Sequence, residues 1–352
     1  MSMPIDDSGI GRLGVEIELL APPGRSREDL ANAIAKHYGG NVRRFFHPQG
    51  EPSKAKNTPF FENLTLGFIV DDDEGNIFAW CVDDLTIQED LDQKQPSQPG
   101  WYRIVSDDAR LLRLTMCHAD ATEPRESVLL PIADLFCTEA KVGEGGMIRV
   151  SDEAGAPIAI AAPLPGERER PCELITPPID SDHLEYLETL LGLARSLDFS
   201  VPAEAATHLH FDAASLCDAA TIANLVRFLN AHSDALKEMI GTNPRCRRLG
   251  KWPAELIELV ESQDFVESDW ESARKQLSQV KLTKYCDFNL INLVHQNPDK
   301  HTFEVRILPV WLDGRKTFEA ATLFAKILNW AKENDRQLKS VPSDLTDFAF
   351  EA

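Results

Sequence analysis

The segment THLHFD places two histidines, His208 and His210, one residue apart between apolar neighbours. The segment GVEIEL gives the carboxylates of Glu16 and Glu18 the same spacing. Imidazole nitrogens and carboxylate oxygens are the groups with which proteins bind divalent cations. These four residues therefore have the types that a metal site needs.

Two further segments carry charged residues in the same pattern. TFEVRIL contains Glu304 and Arg306 one residue apart, and CELIT contains Glu173 between apolar neighbours. An arginine at this spacing has two possible roles. It is either the salt-bridge partner of the carboxylate, or it binds phosphate or carboxylate oxygens through two parallel hydrogen bonds from its planar guanidinium. Both interpretations of Arg306 stay open on the sequence alone.

All four segments have the alternation of apolar and polar residues that is typical of β-strands. Side chains two residues apart share one face of a strand and lie about 6.5–7 Å apart. A sheet with one solvated face would show the same alternation. Several carboxylates on one face repel each other, however, and need a compensating positive charge. The four strands together therefore predict a shared cation site.

A basic cluster stands out in the segment GTNPRCRRLGKW. It is either a solvated loop after a long helix or a lid that clamps phosphates or a substrate carboxylate, for which arginine forks are suited. Its basic residues are Arg245, Arg247, Arg248 and Lys251.

Other families that use a His-x-His pair do not fit this chain. A cupin would have a glutamate four or five residues after the second histidine, where this chain has Ala214 and Ser215. A barrel-type metal-dependent hydrolase would place the pair on its first strand, but only residues 211–352 follow His210, and such a barrel needs about 250 residues. P-loop, GxGxxG and GxSxG motifs are also absent from the sequence.

The composition is that of a globular protein with a strong acidic excess. The chain has 352 residues, of which 43% are hydrophobic and 26% charged, so it is long enough for two domains or for one domain with an insertion. Its 57 acidic and 36 basic residues give a net charge of -21, which is the opposite of what nucleic acids and anionic membranes attract.

Cysteine usage and hydropathy predict a cytoplasmic protein. The seven cysteines are odd in number and form no CxxC pair, which disfavours a disulfide framework or a thiolate zinc site. No apolar run approaches the roughly 20 residues that a bilayer requires. The first residues, MSMPIDDSGI, lack the basic and apolar regions of a signal peptide.

Predicted helices and strands alternate along much of the chain, which favours an α+β fold with helices packed against a sheet. Ser26 and Asp29 predict a capping box for a helix over 26–38, and a hairpin is expected over 66–83 with its turn at 73–76. Periodicity predicts further helices at 181–197, 214–240, 253–263, 268–279 and 315–334. Strands are predicted at 13–20, 207–212, 285–294 and 302–309.

The stretch 88–168 differs from the rest in having short apolar runs separated by turn residues. It opens with the polar linker QEDLDQKQPSQPG, and the sequence GERERP follows it as a second linker. The apolar runs between the linkers predict a small all-β insertion. They are WYRIV, LLRLTMC, VLLPI, MIRV and PIAIAAP.

The ordered set of motifs resembles the amidoligase family, which comprises carboxylate–amine ligases related to glutamine synthetase and glutamate–cysteine ligase. The resemblance covers roughly residues 12–87 and 170–335 and is carried by the order of the motifs rather than by any one of them. The motifs are GVEIEL, WCVDDLTI, CELITPP, THLHFD, KYCDFNLINL and TFEVRIL.

The resemblance implies a fold and a domain organisation. The fold is α+β, with a glutamine-synthetase-like curved antiparallel sheet around nucleotide and cations and with helices packed on its outer face. The catalytic domain would comprise 1–87 and 169–340, interrupted by the β-rich insertion 88–168 and followed by a C-terminal tail at 341–352. Where the family has an Asp-Gly-Ser turn, this chain has Asp84-Leu85-Thr86, so no substrate role is carried over to Asp84.

The resemblance also implies roles for single residues. His208 or His210 would serve the metal or the nucleotide, and Asn289 would contact nucleotide or substrate. Arg306 resembles the family's phosphate-contacting arginine and forms the predicted catalytic pair with Glu304. Four acidic residues, with His210, are the implied metal ligands: Glu16, Glu18, Glu173 and Glu304.

The function implied by the resemblance is ATP-dependent ligation of a carboxylate to an amine through an acyl phosphate. ATP and Mg²⁺ or Mn²⁺ are the implied cofactors, and the partners are small-molecule or peptide carboxylates and amines. Two alternatives stay open. One is a kinase-like enzyme of the same fold that forms no amide, and the other is a non-catalytic interaction protein.

Overall fold

The computed structural model describes residues 9–50, 62–246, 248–296, 300–333 and 338–348. The strands are β1 (Leu13–Leu20), β2 (Asn41–Gly50), β3 (Glu62–Asp71), β4 (Ile77–Val82), β5 (Tyr102–Ser106), β6 (Ala140–Val142), β7 (Ile148–Ser151), β8 (Pro157–Pro163), β9 (Pro171–Ile175), β10 (Thr207–Asp212), β11 (Phe288–Asn289) and β12 (Thr302–Leu308). The helices are α1 (Arg27–Tyr38), α2 (Ala109–His118), α3 (Leu130–Leu135), α4 (His183–Ser196), α5 (Ala219–Ile240), α6 (Ala254–Glu261), α7 (Gln263–Val266), α8 (Trp270–Leu277), α9 (Ile291–Val294) and α10 (Gly314–Lys332).

The chain forms two compact units. The first unit comprises Met1–Ile17, Thr176–Gly192 and Glu204–Ala352, and the second comprises Glu18–Ile175 and Leu193–Ala203. Two of the four boundaries fall inside β1 and α4, so each of these elements contributes residues to both units. Strands pair antiparallel within each unit, which confirms the predicted α+β class with a large antiparallel sheet.

Strand β10 organises the sheet of the first unit. It pairs with β1 on one side and with β12 on the other, and β11 pairs with β12. Leu209 lies opposite Val305 in the register, and both side chains are buried. Alternation along the strands then places the histidines of β10 and the charged residues of β12 on the opposite face from these apolar residues.

Helix α5 packs against β12 and α10, and local capping fixes its ends. The side chain of Asp218 accepts a hydrogen bond from the backbone nitrogen of Thr221, which satisfies one of the free amides of the first turn. Gly241 ends the helix with a φ of 75°, a conformation that glycine adopts without steric cost. Because Asp218 caps the first turn, the helix predicted at 214–240 begins five residues later than expected, after a short 3-10 turn over 214–216.

The start of α10 is fixed by Asp313 and Gly314. Asp313 accepts hydrogen bonds from the amides of Arg315 and Lys316. The amide of Gly314 donates to the side chain of Glu188, and a Cβ at position 314 would lie 2.4 Å from the backbone nitrogen of Glu188. Only glycine therefore fits where α10 meets α4.

The second unit contains a sheet with strands in the order β9, β4, β3, β5, β8, β7, β6, and with β2 paired to β3. Helix α1 packs against β3 and β4. The capping box of Ser26 and Asp29 is present, and the predicted hairpin is formed by β3 and β4. These two sequence predictions are confirmed.

The all-β content predicted for residues 88–168 is wrong. LLRLTMC lies in α2 and most of VLLPI in α3. The side chain of Asp108 accepts from the amide of Arg110 and caps α2, and the three-residue spacing of the buried Leu112 and Thr115 gives α2 a helical buried face. The remaining runs form or adjoin strands, and β5 pairs with β3. The division into a catalytic domain and an insertion stays a prediction.

The segment GERERP is buried structure rather than a linker. Arg168 and Arg170 are each buried. Arg168 forms an ion pair with Asp83, and Arg170 forms one with Glu167 at 2.5 Å. A charged side chain can be buried when it is paired with a group of opposite charge. The two arginines of GERERP meet this condition, so the segment can lie in the interior.

The predicted strand over 285–294 is shorter than expected. It is reduced to Phe288–Asn289, and α9 follows directly. The side chain of Asn289 accepts a hydrogen bond from the amide of Ile291, which begins a helical turn at that point. Within the described ranges, no helix has both the length and the hydropathy that a membrane crossing needs.

Candidate functional site

Strand register in the first unit brings the predicted acidic and imidazole residues together. Glu16 of β1 lies opposite His208 of β10. His210 of β10 lies opposite Glu304 of β12, and Glu304 lies opposite Asn289 of β11. Directly opposed residues of antiparallel strands have Cβ atoms about 4.5–5.5 Å apart. Glu16, His208, His210 and Glu304 therefore form one group, which we call the carboxylate–histidine cluster.

The carboxylate of Glu16 has three nitrogen neighbours in the first unit. Nδ1 of His208 lies 3.2 Å from its Oε2, and Nε2 of His210 lies 3.2 Å from its Oε1. Lys300 Nζ donates to Oε1 at 2.7 Å. The Glu16 side chain is only 14% exposed, whereas that of Lys300 is 42% exposed. Lys300 therefore brings a positive charge to the cluster from the solvent side.

Glu304 is held by two donors. Arg306 donates from its NH1 group to Oε1 at 2.5 Å, and Asn289 donates from Nδ2 to Oε2 at 2.7 Å. Nδ1 of His208 lies 3.7 Å from Glu304 Oε1. In this structure Arg306 is thus the salt-bridge partner of Glu304. Its Nε is nevertheless buried without a hydrogen-bond partner among the described residues, so this N–H is a candidate donor to a ligand.

Both carboxylates of the cluster are ionised at neutral pH. Burial opposes ionisation of Glu16, but His210, His208 and Lys300 together hold its pKa well below the ordinary 4.5. Burial likewise opposes ionisation of Glu304, while the neighbouring His210, His208 and Arg306 lower its pKa to about 2. The cluster therefore presents two negative charges at neutral pH, which attract cations.

His208 behaves as a neutral imidazole in this environment. Burial lowers its pKa below the ordinary 6.5, and the charge of Arg306 lowers it further, although Glu16 and Glu304 act in the opposite direction. A neutral imidazole keeps a lone pair on one ring nitrogen. His208 can therefore serve as a metal ligand or as an acceptor at neutral pH.

The geometry around His210 fits a metal ligand. Its Nδ1 lies 3.3 Å from Thr302 Oγ1, and such a contact at one ring nitrogen orients the other. That other nitrogen, Nε2, is buried and faces the two carboxylates, at 3.2 Å from Glu16 Oε1 and 4.0 Å from Glu304 Oε1. One ligand atom each from Glu16, His210 and Glu304 lies within 4.8 Å of the others, so these three residues can hold one divalent cation.

Two predicted ligands lie in the second unit. Glu18 is buried at the end of β1, and Glu173 is half-buried on β9 opposite Val82. The metal-binding roles of Glu18 and Glu173 stay predictions.

The basic cluster has other partners. The guanidinium of Arg248 stacks over the Tyr285 ring at 5.7 Å, and Lys251 Nζ lies 3.0 Å from Asp234. Arg245 is exposed. Arg247 lies outside the described residues. Binding of nucleotide or substrate by these four residues therefore stays a prediction.

The basic loop is nevertheless anchored beside the site. The amide of Gly250 donates to the side chain of Asp287 at 3.0 Å, and Lys237 Nζ lies 2.7 Å from the same carboxylate. The backbone oxygen of Asp287 in turn accepts from the amide of Arg306. The end of the loop is therefore tied to the strand that carries Arg306.

Lys300 and Thr302 were missed by the sequence analysis. A signal for both was present, because the two-residue spacing of Glu304 and Arg306 continues backwards to Thr302 and Lys300. The predicted strand began at residue 302, and a lysine just before a strand is an ordinary solvated residue. The structure shows that Lys300 reaches Glu16 instead.

Cys286 lies close to the charged residues of the site but is not poised as a nucleophile. Burial raises the pKa of its thiol to about 12. The sulfur donates to the backbone oxygen of Phe288 at 2.9 Å. A thiol that stays protonated is a poor nucleophile, so Cys286 packs and donates rather than reacts.

Comparison with known families agrees with this arrangement. A family model described as "Putative amidoligase enzyme" matches residues 10–328, which is most of the chain. The chain belongs to the amidoligase family. Amidoligase membership indicates an enzyme of the ligase class and confirms the resemblance carried by the ordered motifs. A search among curated proteins found no match to this chain.

Proposed function

We propose that the chain is an ATP-dependent carboxylate–amine ligase that acts through an acyl phosphate. The observation that carries the proposal is the carboxylate–histidine cluster beside Arg306, in a chain that belongs to the amidoligase family. A solvated sheet face would not need two ionised carboxylates, two buried histidines and a buried arginine in mutual contact. A glutamine-synthetase-like sheet around the nucleotide and a cytoplasmic location are parts of the same proposal.

Glu16, His210 and Glu304 would hold the divalent cation. The donor set supports this assignment, because it combines two carboxylates with an imidazole nitrogen that has no other partner among the described residues. When bound, the cation would neutralise negative charge on the phosphates of ATP. Glu18 and Glu173 are proposed as further ligands on the strength of the motif resemblance.

The proposed reaction has two steps. An oxygen of the substrate carboxylate attacks the γ-phosphorus of ATP, the bond from that phosphorus to ADP breaks, and an acyl phosphate forms. The amine nitrogen then attacks the acyl carbon, phosphate leaves with the bonding electrons, and the nitrogen loses a proton to give the amide. This sequence needs no covalent enzyme nucleophile, which agrees with the protonated state of Cys286.

Arg306 and Glu304 have complementary tasks in this reaction. Burial alone would lower the pKa of Arg306, but the paired Glu304 raises it, so the guanidinium stays charged. We assign its buried Nε–H, which has no partner among the described residues, to the transferring phosphoryl group, where negative charge is stabilised by a fixed donor. Glu304 holds the guanidinium in place by accepting from NH1, and Asn289 fixes the other oxygen of that carboxylate.

The experiment is a screen for ADP release by the purified full-length chain. Pools of carboxylates and amines are supplied with ATP and Mg²⁺ or Mn²⁺, and products are identified by mass spectrometry. We expect ADP release that requires both a carboxylate and an amine, with an amide as product. A phosphorylated product without an amide would support the kinase-like alternative and contradict the ligase.

A matched pair of variants tests whether the signal comes from this site. Glu304→Gln should abolish ADP release because it removes the charge that orients Arg306 and contributes to the cation site. Glu271→Gln makes the same change on the surface, where the Glu271 side chain is 58% exposed and pairs with Arg274, and should leave the rate unchanged. Equal rates for both variants would show that the cluster is not the active site.

A further inference from the structure

The second unit contains a cavity whose lining includes none of the residues assigned above to the ligase reaction. Its volume is about 310 Å³, at the lower end of the roughly 300–1,000 Å³ that small-molecule sites occupy. The lining combines a few apolar side chains with a larger number of polar ones. The polar residues that matter most are Asn63, Thr65, Asp83, Gln88, Arg103 and Arg168.

The cavity is built from β3, β5 and two connecting segments. Asn63 and Thr65 share one face of β3, and Arg103 of β5 lies opposite Thr65 in the register. Asp83 directly follows β4, and Arg168 precedes β9. The segments that carry Asp83 and Arg168 flank the stretch that the sequence distinguished as an insertion. The cavity therefore lies where that stretch leaves and rejoins the rest of the second unit.

Asp83 and Arg168 form an ion pair with unused hydrogen-bonding capacity. An NH2 group of Arg168 contacts Asp83 Oδ1, and the arginine also donates to the backbone oxygens of Ile87 and Asp84. Oδ2 of Asp83 and Nε of Arg168 have no hydrogen-bond partner in the described residues. The Asp83 side chain is fully buried, and that of Arg168 is 9% exposed.

Thr65 adds a third unsatisfied group. It is fully buried on β3, and its hydroxyl makes no hydrogen bond to any described residue. Buried polar atoms without partners are uncommon in native proteins, because they lose hydration and gain nothing in return. Three such groups among the lining residues make this cavity a candidate site for a molecule that would supply the missing partners.

The three groups define the chemistry of that molecule. Asp83 Oδ2 requires a donor, Arg168 Nε requires an acceptor, and the hydroxyl of Thr65 can act as either. The ion pair is neutral overall, so a ligand that carries one charge of each sign adds no net charge. We propose that the cavity binds a free α-amino acid, with its ammonium group at Asp83 and its carboxylate at Arg168.

The proposal does not depend on the ligase activity, because none of the residues that carry it has a role in the proposed reaction. The test uses the full-length chain without nucleotide or added metal. Each common L-α-amino acid is screened separately by thermal shift, and the one with the largest shift is titrated by calorimetry. We expect at least one amino acid to bind. We also expect the carboxylic acid and the amine that correspond to it to bind more weakly.

Thr65→Val is the decisive variant because it removes only the unsatisfied hydroxyl. It should fold and should weaken binding of the amino acid by roughly tenfold or more, the scale of a hydrogen bond to a charged group. Thr207→Val is the matched control. Thr207 is also a fully buried strand threonine whose hydroxyl has no partner in the described structure, but it lies in the first unit, so its loss should not change the affinity.

Asp83→Asn provides a second test, because it removes the carboxylate that would face the ammonium group. Relative to the amino acid, the carboxylic acid that lacks the amino group should bind this variant better than it binds the wild type. The proposal is overturned if no amino acid binds the wild-type chain, since water alone would then satisfy the cavity. It is also overturned if Thr65→Val binds the amino acid as tightly as the wild type. A carboxylic acid that binds the wild type as tightly as its amino acid would exclude the zwitterion.

Discussion

At the scale of single residues, the cluster is organised around charge compensation. The two carboxylates of Glu16 and Glu304 are brought together by strand register, and Lys300 and Arg306 each neutralise one of them. The histidines lie between them. A divalent cation can replace part of this compensation because its charge is larger and its ligands are the same atoms.

The imidazole in the donor set predicts a metal preference. Imidazole nitrogen suits transition metals better than Mg²⁺, which prefers oxygen ligands and its own water. We therefore expect the chain to bind Mn²⁺ more tightly than Mg²⁺ in calorimetric titrations. His210→Asn should weaken Mn²⁺ binding by at least about tenfold, whereas His118→Asn, a change of an exposed histidine, should have no effect. Unchanged Mn²⁺ affinity in His210→Asn would remove His210 from the metal site.

Arg306→Lys separates a catalytic role from a purely structural one. Lysine keeps the positive charge but cannot donate to Glu304 and to a phosphoryl oxygen from one planar group. We expect the variant to fold and to bind Mg²⁺-ATP within a few-fold of the wild type. Its kcat should fall by roughly 10²-fold or more, the scale of losing one fixed charge-stabilising donor.

The check on Arg306→Lys combines steady-state ADP release with a nucleotide-binding titration. Arg274→Lys is the matched control, since Arg274 pairs with Glu271 on α8 and should leave kcat unchanged. A wild-type kcat in Arg306→Lys would exclude Arg306 from the chemistry. Loss of folding would instead identify it as the structural partner of Glu304.

At the scale of elements, the alternation of β12 positions much of the site. Thr302, Glu304 and Arg306 lie on one face of this strand, and Lys300 continues the spacing beyond its first residue. Their roles differ. Thr302 contacts His210, Glu304 contributes a carboxylate to the cluster, and Arg306 pairs with Glu304. The opposite face is apolar and buried, so a shift of one residue in register would exchange the two sets.

The contact between α4 and α10 predicts a stability effect that involves no residue of the cluster. A methyl group at Gly314 would meet the backbone of Glu188 at 2.4 Å, and backbone cannot rotate away. Gly314→Ala should therefore lower the free energy of unfolding by roughly 1–3 kcal/mol, measured by urea denaturation. Gly9→Ala is the control, because nothing lies within 4 Å of a Cβ at that position. Equal stability of the two variants would contradict the close approach.

The sequence predicted long periodic elements well and short apolar runs poorly. The strands that carry Glu16, His208 and Glu304 were predicted within one residue, because each alternates over at least six residues. The run LLRLTMC was mistaken for a strand, since a short apolar run does not distinguish a strand from a helix. The side chain of Asp108, which caps the first turn of α2, favours the helix in this segment.

Only the residues of the site, and not their pairings, could be predicted from the sequence. Residue types and spacing identified the carboxylates and histidines, but they could not show which nitrogen faces which oxygen. Nor could they show that Arg168, in a segment with the composition of a linker, is buried against Asp83. Both facts depend on pairings between distant parts of the chain, and such pairings leave no periodic signal.

At the scale of the whole molecule, residues of one motif can belong to different units. Glu16 and Glu18 share one face of β1, yet the boundary between the units falls between them. The chain has a net charge of -21, so the proposed binding of an anionic nucleotide would depend on local cations such as Lys300 and Arg306. The first unit holds the carboxylate–histidine cluster, and the second holds the polar cavity lined by Asp83.

The most direct test of the ligase proposal follows the oxygen atoms. A carboxylate substrate identified in the ADP-release screen is labelled with ¹⁸O in its carboxyl group, and the released phosphate is examined by mass spectrometry. Because the proposed acyl phosphate joins a carboxylate oxygen to the γ-phosphorus, we predict that one labelled oxygen appears in the phosphate for each amide formed. Phosphate that carries no label while ADP and amide are produced would contradict the proposed mechanism.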